Sequence, residues 1–146
     1  MIEIVPFEIE HAFALTDGPN TEGVLMPPEA IRMYAKLYKD RGPSFSGVDD
    51  GKLIGSAGVM LLWPGTGEAW ILFSDLVRQY RRQAYEIVFK NLCRIIEENK
   101  LRRVQAHCDC RLPHAVKYLE NLGFVCEGTL RKYVNGNDHF MYSMVL

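Results

Sequence analysis

The sequence predicts an α/β protein in which a mixed central sheet of six to seven strands is flanked by about four helices. Three strand-like segments separated by turn signals lie between residues 44 and 74, and a strand–helix–hairpin series fills residues 103–146. A long amphipathic helix joins the two groups and must return the chain to a neighbouring parallel strand by a right-handed crossover. We expect one domain over residues 1–146, which is an ordinary domain length.

The first half of the chain alternates strand and turn signals around one clear helix. Residues 2–7 alternate between apolar and polar types and predict the first strand, whereas the Gly, Pro, Asn and Asp residues of segment 16–23 predict a loop. Pro27 and Pro28 begin a helix that ends before Gly42. The turn sequences DDG and WPGTG then separate three predicted strands, at 44–48, 52–62 and 68–74.

The second half begins with the longest predicted helix. From Ala84 onward its apolar residues recur every three or four positions, which is the stripe of a helix with one buried face. A strand at 103–109, a helix at 113–123 and strands at 124–134 and 139–146 follow. Asn135-Gly136 favours a type I′ hairpin turn, because both central residues of that turn need positive φ. The predicted order is β-α-(α)-β-β-β-α-β-α-β-β.

Composition limits the classes of function. The 17 basic and 18 acidic side chains leave a net charge of −1, which gives no support for nucleic acid as a partner. No apolar run is long enough to span a bilayer, and the first residues lack the pattern of a signal peptide, so we expect a cytoplasmic protein without a membrane partner. The four cysteines lie within periodic segments, which favours reduced thiols.

Segment 76–87 predicts an anion site. It joins the strand at 68–74 to the long helix, whose first N–H groups are free and carry the positive end of the helix dipole. Arg78, Arg81 and Arg82 add three cations there, so the segment predicts a site for a diphosphate, with a solvated basic helix start as the alternative.

The same segment resembles the acetyl-CoA motif of the GNAT (GCN5-related N-acetyltransferase) superfamily, Gln/Arg-x-x-Gly-x-Gly/Ala. Gln79 and Ala84 fit that motif, and Arg82 stands where the family has glycine. The stretch YLENLGFVCEGTLRKYV at 118–134 resembles the family's helix–strand pattern, and the ending NGNDHFMYSMVL resembles its closing hairpin. The resemblance implies a GNAT-like sheet that opens between the strand ending near Ser74 and the strand at 103–109.

The resemblance also implies acetyl-CoA as co-substrate and an unidentified amine, on a small molecule or a peptide, as acceptor. The diphosphate is expected on the N–H groups from Arg81 to Ala84. The full set of residues expected to bind acetyl-CoA is Leu76, Val77, Gln79, Arg81, Arg82, Gln83, Ala84 and Tyr85.

Candidate catalytic residues follow from the chemistry of acetyl transfer. A general base must neutralise the amine, and the candidates are Glu68 and His107, with Asp75 and Asp109 behind them. Backbone N–H groups of a bulged fourth strand, at 68–74, are expected to stabilise the oxyanion. The family's usual asparagine and general-acid tyrosine positions hold Leu112 and Leu119, so Tyr118 is the nearest candidate acid, ahead of Tyr133 and Tyr142.

Alternatives remain at this point. The pattern around residues 113–143 also resembles small GNAT-like proteins of bacteriophages and prophages, which implies a non-catalytic structural or assembly protein, associated with the virion, with a degraded cofactor site. A zinc site in HCDCRLPH, residues 107–114, is disfavoured because Cys-x-Cys is not the usual knuckle, so no metal is expected. A homodimer is compatible with the sequence. Trp70 is expected to pack on the sheet.

Overall fold

Among the residues that the structure describes, seven strands pair side by side in one mixed sheet, and a short eighth strand pairs with the end of one of them. The computed structural model describes residues 1–16, 21–22 and 28–146. Its strands are β1 (Glu3–Val5), β2 (Thr21–Glu22), β3 (Ser44–Asp49), β4 (Lys52–Trp63), β5 (Thr66–Ser74), β6 (Arg103–Asp109), β7 (Val125–Val134) and β8 (Asn137–Val145). Its helices are α1 (Ile9–Thr16), α2 (Pro28–Asp40), α3 (Arg81–Glu98) and α4 (Pro113–Leu122), with a 3-10 helix at Asp75–Gln79. The predicted mixed sheet and flanking helices are confirmed.

The strand order is β1-β3-β4-β5-β6-β8-β7, with β2 beside the end of β5. All neighbouring strands are antiparallel except β5 and β6, which are parallel because α3 carries the chain back between them. The crossover predicted from the long amphipathic helix is therefore confirmed.

Adjacent residues of β5 point to opposite faces of this sheet. Ala69 packs against a core that includes Leu92 of α3 and Leu122 of α4. Trp70 packs against a second core that includes Ile31 of α2, together with residues of α1. The period-2 alternation of a strand therefore gives the sheet one face covered by α3 and α4 and one covered by α1 and α2.

β5 and β6 are paired over a short stretch only. Thr66, Gly67 and Glu68 pair with Arg103, Val104 and Gln105, and no further pair joins the two strands. β2 pairs with Phe73 and Ser74. Among the described residues, the edge of β5 at 69–72 therefore has no partner strand on the β6 side. The opening predicted between β5 and β6 is confirmed.

The predicted hairpin turns have the expected backbone. Asn135 and Gly136 have φ values of 51° and 78° between β7 and β8, as a type I′ turn requires. Asp50 and Gly51 have the same pair of signs, 51° and 75°, between β3 and β4. The turn residues therefore fix where each hairpin reverses direction, while the register shifts farther along both ladders.

The N-terminal quarter differs most from the prediction. The first strand stops at Val5 because Pro6 has no N–H to donate to a ladder. α1 was not placed by the sequence pattern; its first turn is held by the Glu8 N–H, which donates to His11 Nδ1 at 3.0 Å. The predicted loop at 16–23 is interrupted, because Thr16 ends α1 and residues 21–22 form β2. Pro27 and the rest of that loop lie outside the described residues.

Two strand valines provide a test of the core beside the opening. Val104 of β6 is fully buried, whereas Val125 of β7 is 68% exposed. Val104→Ala should lower the free energy of unfolding by about 2 kcal/mol, because two buried methyl groups are lost and a cavity remains. Val125→Ala, the same change at an exposed strand position, should stay within about 0.5 kcal/mol of wild type in urea unfolding. Equal losses in the two variants would contradict this core.

Candidate active site

The turn from β5 into α3 is held by side chains on both sides. The Ser74 hydroxyl accepts a hydrogen bond from the Leu76 N–H at 3.3 Å and donates to the Leu53 carbonyl at 2.9 Å. Tyr80 precedes the first residue of α3 and its hydroxyl donates to the Asp49 carboxylate, at the end of β3. No side chain caps the start of α3. The helix therefore begins at a fixed place with its first donors uncapped.

The hydrogen bonds of this turn decide which backbone donors are free. The Tyr80 N–H donates to the Val77 carbonyl at 2.9 Å, and the Ala84 N–H donates to the Tyr80 carbonyl at 2.7 Å. The N–H groups of residues 81–83 precede this first intrahelical bond. The helix therefore uses the Ala84 N–H, which was one of the donors predicted to meet a diphosphate, and the N–H groups of residues 81–83 remain for that role.

The other residues predicted to bind acetyl-CoA fall into two groups. Val77 and Ala84 are buried in a small core with Ile2 and Ile54, and Leu76 packs against them. Tyr85 packs on Tyr118 and its hydroxyl donates to the Asn121 carbonyl at 2.7 Å. Gln79, Arg81 and Arg82 are exposed, Gln83 is half-buried, and Arg82 forms an ion pair with Glu86 at 3.2 Å. The first group supports the turn, and the second can reach a ligand.

Tyr118 carries a buried hydroxyl for which the described residues provide no hydrogen-bond partner. Its ring packs edge-on against Phe73, near the end of β5, and against Tyr85, with 5.8 Å between ring centroids in both cases. Burial raises the pKa of this phenol well above its ordinary value. Leu119 packs into the core of the α3–α4 face. Tyr118 is therefore the tyrosine of α4 that borders the opening, with a protonated hydroxyl.

The other two tyrosines considered as acids are placed differently. Tyr142 is buried, its hydroxyl donates to Glu120 Oε2 at 3.2 Å, and burial with the nearby Glu120 raises its pKa to about 12. Tyr133 is half-exposed and lies on the opposite face of the sheet, against His107. Only Tyr118 combines burial with an unpaired hydroxyl.

A pocket of about 340 Å³ lies on the α1–α2 face where β5 and β6 part. Its walls are mainly aromatic: Trp70 stacks on Tyr38 with 4.1 Å between ring centroids. The Trp70 indole N–H is buried without a partner among the described residues. The lining residues that carry chemistry are Tyr34, Tyr38, Glu68, Trp70, His107 and Tyr133.

Glu68 places a carboxylate in this pocket at the last β5–β6 pair. It accepts a hydrogen bond from the Gln105 side-chain amide at 3.3 Å. Burial raises the pKa of the Glu68 carboxyl. Burial, and then the Glu68 charge, raise the pKa values of the Tyr38 and Tyr133 phenols. The pocket thus combines aromatic side chains with one half-buried carboxyl group.

His107 lines the same pocket, two residues beyond Gln105. Its Nδ1 lies 2.9 Å from Nδ1 of His139, and its ring meets Tyr133 edge-on. Burial lowers the pKa values of both histidines, so both are neutral near pH 7. Glu68 and His107, predicted separately as bases, are brought together here.

Asp109 and Asp75 do not share that pocket. Asp109 is buried and accepts hydrogen bonds from the Arg111 side chain at 3.0 Å to each carboxylate oxygen. The Arg111 guanidinium lowers the pKa of Asp109, which makes that carboxylate a poor base. Asp75 begins the 3-10 helix and is absent from the pocket lining.

His139 was missed by the sequence analysis. It is buried on β8, where its Cα is the partner of Asp109 in the β6–β8 ladder. The Asn135-Gly136 turn indicates how β7 pairs with β8, but it does not indicate which residues of β8 meet β6. That register depends on contacts between segments far apart in the sequence.

A bulge was expected in the predicted strand at 68–74, which is β5, but the structure has it in the neighbouring strand β4. β5 pairs regularly with β4 from Gly67 to Phe73, and the register shifts between Leu61 and Trp63, so Leu62 is the extra residue on β4. The free backbone groups near the pocket are instead those of β5 at 69–72, which exist because β6 diverges.

The described residues contain no group of three or more His, Cys, Asp or Glu side chains that could hold a metal ion. In the cysteine-rich segment, Cys108 is buried in the core and Cys110 is half-buried, and both thiols are free. Within the same described residues, no helix is long and apolar enough to cross a membrane.

No protein-family model and no curated protein matches the sequence of this chain. Solved structures do match its fold. A GNAT-family acetyltransferase from Streptococcus pneumoniae aligns with a TM-score of 0.70 and 16% identity over 100% of this chain and 99% of that one. One from Bacillus anthracis aligns with a TM-score of 0.71 and 19% identity over 99% and 94%. A mutant of the spermidine N-acetyltransferase of Vibrio cholerae aligns with a TM-score of 0.71 and 20% identity over 99% and 93%. The GNAT-like architecture expected from the sequence is confirmed.

The two buried histidines should make stability depend on pH. Because their pKa values are lowered in the fold, the unfolded chain binds protons at pH values where the folded chain does not. The free energy of unfolding should therefore fall as pH drops from about 6.5 toward 5. The double variant His107→Gln/His139→Gln should show a shallower fall in urea unfolding, while His114→Gln, at an exposed position of α4, keeps the wild-type slope. A double variant with the wild-type slope would contradict the burial effect.

Proposed function

From the GNAT fold as premise, we propose that this chain is an acetyl-CoA-dependent N-acetyltransferase that moves an acetyl group to an amine of a small molecule or peptide. The observation that carries the proposal is the parting of β5 and β6 after the Glu68–Gln105 pair. It leaves an unpaired strand edge between the start of α3 and a pocket that contains a carboxylate and a neutral imidazole. A thioester passing through that opening would meet both.

The start of α3 suits the diphosphate of acetyl-CoA. Three N–H groups, at residues 81–83, point out of the helix, and the helix dipole favours an anion there. The exposed Arg81 and Arg82 add charge within reach. Arg82 replaces the glycine of the family motif, so we assign its phosphate contact to its guanidinium rather than to close backbone approach.

The acceptor enters from the α1–α2 face. An alkyl amine is mostly protonated near pH 7, and an ammonium is attracted by the Glu68 carboxylate in this pocket. The ammonium loses one proton to water, which frees the nitrogen lone pair, and the neutral His107 accepts the second proton as the amide forms. We therefore assign attraction of the cation to Glu68 and the general base to His107.

The residues described above can accept and supply the protons that acetyl transfer requires. The amine nitrogen forms a bond to the thioester carbonyl carbon, the carbon–sulfur bond breaks, and the amine proton passes to His107. N–H groups of the β5 edge at 69–72 stabilise the oxygen as it becomes negative. The departing sulfur takes a proton from the Tyr118 hydroxyl, which is buried, protonated and unpartnered among the described residues. Acetyl-CoA supplies only the activated acetyl group.

The non-catalytic alternative rests on Leu112 and Leu119, which replace two residues of the family pattern. Tyr118 can supply the general acid that Leu119 lacks, because its hydroxyl has no partner among the described residues. A GNAT-like assembly protein of phage origin would bind no acetyl-CoA. The cytoplasmic location and the homodimer stay predictions.

Charge reversal at the start of α3 tests acetyl-CoA binding. Arg81→Glu/Arg82→Glu should weaken binding in calorimetry by at least tenfold, because two carboxylates would face the diphosphate. The same charge change further along the helix, Lys90→Glu/Arg94→Glu, should leave the affinity near wild type. Equal affinity of both double variants would place the diphosphate elsewhere. Failure of the wild type to bind would favour the assembly-protein alternative.

Removal of one hydroxyl tests the general acid. Tyr118→Phe should lower kcat roughly 10²-fold by removing the proton donor. Its melting temperature should stay the same or rise, because the lost hydroxyl is buried without a partner. The control Tyr142→Phe removes a hydroxyl that bonds to Glu120, and it should lose stability and keep its kcat. Wild-type turnover in Tyr118→Phe would remove Tyr118 from the mechanism.

A further inference from the structure

We infer that His139 and Asp109 are positioning residues that fix the tautomer of His107, so that His107 presents an unprotonated Nε2 to the acceptor. This inference rests on the proposed function. It concerns residues outside the pocket lining, and neither was predicted to act through His107.

The side chains form a continuous polar chain. Arg111 donates from its Nε and Nη2 to the two oxygens of Asp109, at 3.0 Å each, and its backbone N–H also donates to Oδ1 at 2.8 Å. Oδ2 of Asp109 lies 3.7 Å from His139 Nε2. Nδ1 of His139 lies 2.9 Å from Nδ1 of His107. The chain ends at His107, which lines the pocket.

The contact between the two Nδ1 atoms allows one proton only. At 2.9 Å one nitrogen must donate and the other accept, and a neutral imidazole carries a single N–H. If His139 accepts, its own proton is on Nε2, and His107 has its proton on Nδ1 and a lone pair on Nε2. If His139 donates, both rings have the opposite tautomer and His107 Nε2 is protonated.

The Asp109 carboxylate selects the first arrangement. Asp109 and His139 are both buried, so a carboxylate oxygen 3.7 Å from Nε2 favours an N–H there over a lone pair, although the distance is too long for a hydrogen bond. The two Arg111 bonds keep Asp109 ionised, and the Arg111 charge opposes a second proton on His139. His139 therefore accepts from His107.

The tautomer of His139 decides which nitrogen of His107 is free in the pocket. His107 donates through Nδ1 to His139, so Nε2 is the nitrogen that remains for the acceptor, and it carries a lone pair. A neutral base held in one tautomer needs no rearrangement before it takes the amine proton. Asp109 and His139 act at a distance, through this tautomer, and contact no substrate.

Nuclear magnetic resonance reads the tautomers without any activity. In protein with ¹⁵N-labelled histidine, long-range ¹H–¹⁵N spectra near pH 7.5 should show His107 protonated on Nδ1 and His139 on Nε2. Signals from the four histidines are assigned by single His→Gln variants. A wild-type His107 protonated on Nε2 would overturn the inference, whether or not the chain transfers acetyl groups.

Asp109→Asn should reverse both tautomers. Its amide oxygen belongs at the Oδ1 position, where the Arg111 N–H groups converge, which turns the amide NH₂ toward His139 Nε2. The NH₂ group at that position favours a lone pair over an N–H on His139 Nε2, so His107 Nε2 becomes protonated. The control Glu127→Gln removes an exposed carboxylate paired with Arg103 and should leave both tautomers unchanged. Unchanged tautomers in folded Asp109→Asn would refute the role of Asp109.

The turnover number should fall in the variant that reverses the tautomers. Asp109→Asn should lose roughly 10²-fold in kcat with the KM for acetyl-CoA unchanged, because only the base is disabled. Loss of kcat without a tautomer change would indicate a structural role instead and would contradict the inference. Absence of acetyl transfer by the wild type would count against the proposed function, while the spectra would still decide the tautomer.

Discussion

The site depends on one structural constraint: β5 and β6 are held together by three residue pairs and then diverge. A strand that loses its neighbour exposes backbone donors and acceptors along one edge, which is unfavourable unless something else pairs with them. At Phe73 and Ser74 that partner is β2. Between these ends, residues 69–72 face the opening without a partner strand in the described part of the chain. This gap is the feature that links the start of α3, the Tyr118 hydroxyl and the acceptor pocket into one proposed site.

The unsatisfied polar atoms of the interior are found beside the same gap. Three buried side-chain atoms have no hydrogen-bond partner among the described residues: Trp70 Nε1, the Tyr118 hydroxyl oxygen and His139 Nε2. Such groups are rare in folded proteins because each costs about 1–3 kcal/mol. Tyr118 lies on the α3–α4 side of the sheet and Trp70 on the α1–α2 side, while His139 stands behind His107. A core selected for stability alone would not keep three of them near one opening, whereas a site that pairs them with substrate or holds a tautomer would.

Much of the fold was predictable because its signals are local. Hydrophobic periodicity placed α3 and β6, Pro113 and Gly123 bounded α4, and Asn135-Gly136 indicated the last hairpin. Glu68, His107 and Tyr118 were named in advance because few residue types carry acid–base chemistry. What could not be predicted is non-local. His139 meets His107 only through the β6–β8 register, the position of the bulge on β4 depends on strand pairing, and the use of the Ala84 N–H depends on where α3 begins. α1 was missed because it has only eight residues, so its apolar stripe is short, and the contact that holds its first turn is made by the His11 side chain.

Hydrogen exchange of backbone amides with and without acetyl-CoA tests the central claim most directly, because the claim concerns particular N–H groups. We predict slower exchange on binding at those amides of residues 69–72 that point away from β4 and at residues 81–83, while the Ala84 amide, already bonded to Tyr80, changes little. Protection of both segments, measured residue by residue with saturating acetyl-CoA, would place the ligand between β5 and β6 with its diphosphate at α3. Slower exchange confined to other parts of the sheet, or no change in either segment at saturation, would contradict the account.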